Sequence, residues 1–228
     1  MAIALGSVTF DEAYTTVREK QEEVGGRDER LIELSGLIHG ESTLAGIEAR
    51  LDAIVDAASA ADYGAALCLR PGRRLWVRRE SFAREIRRDA QVGAFTLTLR
   101  ARDRFEESIE PTEIAWAIAA SGATTAVCSA GNADAAPVLA LEADGDLVNP
   151  AFSDGARTIA YAGVVADGST LEFDGEAGQV RLDGEDVTPY STGAFPRIAP
   201  EGTTLVYTDD AASSHTAAVA IAFRDRWW

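Results

Sequence analysis

Five Asp-Gly dipeptides, at 144–145, 154–155, 167–168, 174–175 and 183–184, constrain this chain more than any other feature of it. Such pairs tolerate the positive φ angles of tight hairpin turns. They cut the second half into short β-compatible runs at 157–165, 169–173, 179–183, 203–208 and 216–224. Leu171 and Phe173 alternate with polar neighbours, as do Val180 and Leu182, and then Val219, Ile221 and Phe223. Several short strands at this spacing predict an antiparallel sandwich. No helical segment separates them, which argues against a parallel α/β sheet.

The first half reads differently. Strands are expected at 14–22 and 30–37, joined through Gly25-Gly26. One helix is expected over 43–58, because Leu44, Ile47, Leu51, Ile54 and Val55 fall at helical spacing and Ser42 or Thr43 can cap its start. Runs 66–70 and 75–79 flank Pro71-Gly72 and predict a hairpin. Phe95, Leu97 and Leu99 alternate with Thr96, Thr98 and Arg100, a strand with one buried face. The fold class is therefore mainly β, and 228 residues with 46% hydrophobic content suffice for two modest cores.

Charge divides the chain at the same place. Residues 1–110 carry 16 basic and 20 acidic side chains, and residues 111–228 carry 5 and 17. We place the domain boundary near Glu110-Pro111, giving domains 1–110 and 111–228. The overall net charge of −16 excludes bulk attraction to nucleic acid or to an anionic membrane. Cys68 and Cys128 are far apart in apolar stretches, too few for a disulfide framework or a metal knuckle, and both read as buried small hydrophobes of a reducing compartment. The start, Met1 to Gly6, lacks the pattern of a signal peptide, and no stretch has the length of a membrane span, so cytoplasmic synthesis and folding are expected.

Catalytic signatures are missing. There is no Walker loop, GxGxxG, GxSxG, HExxH or CxxC, and an enzyme is not expected. His39 and His215 are the only histidines. His215 follows Ser213-Ser214, where a polar hairpin loop is a simpler reading than a Ser-His pair. Asp144-Gly-Asp146 and Asp174-Gly-Glu176 have calcium-ligand chemistry but read as structural turns, so neither metal nor cofactor is expected. A glycosidase-like carboxylate pair is not demonstrated by any spacing.

One cluster stands out in this acidic chain: Arg70, Arg73, Arg74, Arg78, Arg79, Arg84, Arg87 and Arg88, with Trp76 and Phe82 among them. It reads equally as a grip on the acidic surface of a neighbouring subunit or as a charged strand edge that discourages edge-to-edge pairing. For the first reading the subunit-interface candidates are Arg70, Arg73, Arg74, Trp76, Arg78, Arg79 and Phe82.

The C-terminal run Gly193-Ala-Phe195-Pro196-Arg-Ile198-Ala-Pro200-Glu-Gly202 leads into Thr204-Leu-Val-Tyr207, and the chain closes on 219–228 with an aromatic and basic end. Upstream stand Leu171-Glu-Phe173 and Gln179-Val-Arg-Leu182. This order resembles the C-terminal sandwich of distal tail proteins (Dit) of long-tailed bacteriophages. Pro196 and Pro200 hold an extended stretch that cannot serve as a central strand, and Gly202 permits the turn after it. Thr203-Thr204 stand where the family has an asparagine. Residues 67–72, 75–78 and 92–99, with one helix among strands, resemble the family's ring-forming N-terminal domain.

The resemblance implies a galectin-like C-terminal sandwich and a homo-hexamer ring made by the N-terminal domains. That ring would connect the tail tube protein to the tail-tip hub protein of a virion tail, with DNA passing through its lumen and no sequence-specific nucleic-acid or membrane binding. A second reading is a lectin-like carbohydrate-binding module, with Tyr190, Tyr207, Trp227 and Trp228 as candidate platforms; filling core and interface is the plainer use of these aromatics.

Overall fold

The computed structural model describes residues 3–24, 27–60 and 63–228. Two compact units form, Met1–Ile109 together with Trp228, and Glu110–Trp227.

Unit 1 contains β1 (Ile3–Leu5), β2 (Val8–Phe10), β3 (Thr15–Val24), β4 (Arg27–Ile38), α1 (Leu44–Ala57), β5 (Ala65–Cys68), β6 (Arg73–Arg87), β7 (Val92–Ala101) and β8 (Glu106–Ser108). Its sheet runs β2-β1-β5-β6-β7-β4-β3, and β8 pairs with the first residues of β6. Every neighbouring pair is antiparallel. The Gly25-Gly26 junction lies outside the described residues. Alternation sets the core face: Ile32 lies opposite Leu99 and Leu34 opposite Leu97, and all four are fully buried.

Helix α1 covers that face. Thr43 Oγ1 caps it by accepting the Gly46 N–H at 3.1 Å. Ile47, Leu51 and Ile54 share one side and are buried, each worth about 1.5–3 kcal/mol of burial. The helix lies close to the sheet because β7 has Gly93 at the crossing; a Cβ there would stand 2.6 Å from Ile47 Cγ2.

Strand β6 is longer than the pattern predicts, continuing from the expected end near 79 to Arg87. Its register shifts between Arg79 and Ser81. The irregularity puts Phe82 opposite Leu97 and Ile86 opposite Gly93, and both side chains pack on the core. An extra residue in a strand changes the phase of its side chains, so the apolar alternation before 79 does not continue in step.

Unit 2 contains β9 (Thr112–Ile118), β10 (Thr124–Val127), β11 (Val138–Ala143), β12 (Leu147–Val148), β13 (Ala151–Ser153), β14 (Thr158–Tyr161), β15 (Val164–Val165), β16 (Thr170–Asp174), β17 (Gln179–Leu182) and β18 (Glu185–Asp186). A 3-10 turn at Thr188–Tyr190 follows, then β19 (Ser191–Gly193), β20 (Thr203–Thr208), β21 (Ala217–Phe223) and β22 (Arg226–Trp227). Two antiparallel sheets, β10-β20-β13-β14-β19 and β18-β17-β16-β11-β21-β9, enclose one core, and β12-β15 form a small ribbon. Phe152 joins the layers, edge-on to Phe173 at 5.5 Å between centroids and tilted against Tyr207 at the same distance.

The Asp-Gly turns divide by role. Asp154-Gly155 and Asp183-Gly184 close hairpins, and Asp183 (φ 50°) with Gly184 (φ 87°) takes the doubly left-handed form. Asp174-Gly175 departs from the expectation, because the positive φ falls at Gly178 instead. The expected run 157–165 is two strands: the chain leaves the five-stranded sheet after Tyr161 and pairs Val164-Val165 with Leu147-Val148, whose Leu147 and Val165 stay in the same core. The proline segment behaves as its chemistry requires, contributing only an isolated bridge from Ile198 to Ala135.

Candidate functional site

The arginine cluster of β6 separates into two groups. Arg70, Arg74 and Trp76 turn inward to carboxylates. Arg74 Nε and Trp76 Nε1 each donate to Glu107 Oε1 at 2.8 Å, and the Arg74 guanidinium lies 4.5 Å over the Trp76 ring. Arg70 donates to Glu106 and lies 3.6 Å from Glu19. Arg73, at the start of β6, is half-buried.

The second group lies along the rest of β6. Arg78 pairs with Glu80 at 3.1 Å and covers the Tyr63 ring, Arg84 reaches Asp52 of α1 at 2.6 Å, and Arg87 pairs with Glu85 at 3.2 Å. Arg79 and Arg88 are exposed, and Phe82 packs on the core.

This second group occupies an unpaired edge. Residues 75–77 of β6 pair with β5, but from Arg78 to Arg87 only β7 lies alongside, among the described residues. The outer edge of β3 is likewise open among the described residues. Within the order β6-β7-β4-β3 the two open edges are opposite and their strands antiparallel. Open edges carry unsatisfied N–H and C=O groups and template further strands.

The face of these four strands away from α1 carries paired charges and small polar side chains, with Leu31 and the exposed Leu37 as its larger apolar members. Arg100 pairs with Glu29 and with Glu80 (2.7 Å), and Arg18 lies 3.8 Å from Glu33, around the small side chains Ser35, Thr96 and Thr98.

A buried ion cluster is the feature that composition alone does not reveal. Arg30, 4% exposed, donates from Nε to Glu19 at 3.0 Å, from Nη1 to the Arg104 carbonyl at 3.0 Å and from Nη2 to Glu106 at 3.0 Å. The signal was present: Arg30 falls in phase with Ile32 and Leu34, so the alternation already placed it on the core face.

In unit 2, Asp209 has a buried carboxylate that meets His215 Nδ1 at 2.7 Å and accepts the Tyr207 hydroxyl at 2.9 Å. Burial, then Asp209, pushes the Tyr207 phenol above its ordinary pKa. The serines beside His215 are committed elsewhere: Ser213 Oγ accepts the Val148 N–H, and Ser214 Oγ donates to the Asp144 carbonyl. The 209–216 loop is thus a bonded connection from β20 in one sheet to β21 in the other, not the hairpin expected from its sequence, and the Ser-His pairing does not form. Asp174 Oδ1 accepts the N–H groups of Glu176 and Ala177, a structural turn. Among the described residues no group of three His, Cys, Asp or Glu is placed to hold a metal.

Two sequence expectations are corrected here. Cys128 is exposed and Cys68 half-buried; period-two alternation turns Val127 inward and its neighbour outward. Tyr207 is fully buried in the sandwich core and presents no sugar-stacking face.

A chain with one helix in a curled antiparallel domain, followed by a two-sheet sandwich, defines the fold class. No protein-family model matches the chain, and no curated protein sequence is similar to it. Among solved structures the fold is that of the SPP1 Dit (gp 19.1) protein, described as a paradigm of the hub adsorption apparatus in phages infecting Gram-positive bacteria. The likeness has a TM-score of 0.67 at 13% identity and covers 100% of this chain and 93% of that one.

Proposed function

We propose that this chain is a structural subunit of a long-tailed phage tail tip, forming a hexameric ring through unit 1 that connects the tail tube to the baseplate hub. The full-length likeness to SPP1 Dit supports the class. The observation that carries the assembly is the pair of open edges on one sheet, β3 at one side and residues 78–87 of β6 at the other.

A rotation that preserves strand direction brings β3 of one copy beside β6 of the next as an antiparallel pair. Such a head-to-tail contact uses two different surfaces and closes into a ring when the rotation closes. Arg79 and Phe82 then lie at the junction, whereas Arg70, Arg74 and Trp76 act from within the subunit by fixing the start of β6. The compensated face of the same sheet offers passing DNA paired arginines. Partners in this reading are further copies, the tail tube protein and the tail-tip hub protein, and the location is the virion tail.

Light scattering of the purified chain tests the proposal. A particle six times the chain mass, ring-shaped in negative stain, is expected; a single chain at every concentration refutes self-assembly through these edges.

A further inference from the structure

We infer that the outer edge of β9 in unit 2 receives an extended segment of another protein, with an arginine or lysine of that segment opposite Glu113. The inference does not depend on the ring.

β9 is the last strand of its six-stranded sheet, and its pairing with β21 runs without a break from Thr112 opposite Phe223 to Ile118 opposite Ala217. Among the described residues nothing pairs with its other side. The N–H and C=O groups pointing that way are a template for one more strand. Other edges of the two sheets are shorter: four residues in β10, three in β19, and two in β18, both acidic. β9 has seven residues, with no proline, lysine, arginine or bulge to discourage pairing.

The two faces of β9 are both ready for a neighbour. Ile114 packs on the core yet is only half-buried, whereas Leu139 and Leu141 of the inner strand β11 are fully buried. A further strand covers the open side of Ile114 with its own apolar side chains. On the opposite face Ala115 and Ala117 are exposed and continue into Ala220 and Ala218 of β21. Glu113, also exposed, is the one long side chain of β9 on that face.

Charge selects the partner. A second copy brings another sandwich whose residues 111–228 carry 17 acidic and 5 basic side chains, and like charge opposes that contact. A segment with a basic residue across from Glu113 gains an opposite-charge cross-strand pair, and the acidic field draws it in. The occupant is therefore a basic strand of another protein, with apolar side chains at alternate positions.

The test adds fluorescent peptides of the same length as β9 to the full chain at physiological ionic strength and reads anisotropy. One alternates valine with arginine, another has glutamate for each arginine, and the last is the basic peptide with proline for each valine. Saturable binding of the basic peptide is expected, with slower hydrogen exchange in β9. The proline peptide is expected not to bind, since proline cannot donate to a ladder. Glu113→Arg, at an exposed position, is expected to shift the ratio of affinities about threefold or more toward the acidic peptide. No saturable binding, equal binding of the proline peptide, or an unchanged ratio in the variant overturns the inference. Slower exchange in β9 on raising the chain concentration without peptide assigns the edge to a second copy and likewise overturns it.

Discussion

Replacing Arg30 with Met removes the centre of the buried cluster in unit 1. Glu106, 1% exposed, then retains Arg70 as its ion partner, on a side chain that is 43% exposed. Its Oε2 already has no hydrogen-bond partner, and the Arg104 carbonyl loses the donor that Arg30 supplies. Removing one member of a buried pair costs about 3–5 kcal/mol, because the other charge is left in low dielectric. For a unit of this size roughly 4 °C or more of Tm is lost per kcal/mol. Urea denaturation gives the free energy, and hydrogen exchange localises it: protection is expected to fall in β3, β4 and β8 and to persist in β11, β16 and β21. Adding Glu106→Leu to Arg30→Met is expected to recover much of the loss, since an apolar pair avoids the stranded charge. A cost below about 1 kcal/mol for Arg30→Met would refute the reasoning, since that is the range of solvent-screened pairs.

Three further outcomes are expected. Gly193→Ala destabilises unit 2 by about 3 kcal/mol in urea melts, because Gly193 has φ 104° and a Cβ would stand 2.0 Å from the Thr158 carbonyl oxygen. Asp154→Asn costs about 1–3 kcal/mol at neutral pH. Burial alone would raise the Asp154 carboxyl, but bonds from Arg197, Arg157 and Ala156 outweigh it and hold the folded pKa below 3.8. A depressed acid stabilises fully above its unfolded value and loses that contribution as pH falls through the folded one, so the gap between parent and variant closes in strong acid. In native protein a maleimide labels Cys128 first, since Cys68 is less exposed and burial raises its thiol pKa, opposed by Arg74.

What the sequence revealed follows physical rules. Alternation located β7 and the inner strands of the sandwich, and cap plus spacing located α1, because these signals are local. The bulge in β6 hid its outer half, since one extra residue breaks the phase on which the reading depends. Strands β9 and β11 also alternate, at Ile114, Trp116 and Ile118 and at Leu139 and Leu141, but alanines between them blur the contrast. The arginine cluster was visible as composition. Its division into inward-paired and edge residues was not, because the partners Glu106, Glu107 and Asp52 are distant in sequence.

The central claim, assembly through the open edges of unit 1, is tested most directly by comparing the solution mass of the parent with that of Arg79→Glu combined with Arg87→Glu, two exposed positions on the open stretch of β6. The account predicts six chains for the parent and single folded chains for the variant, with circular dichroism unchanged. Equal masses for the two, whether both six or both one, would contradict it.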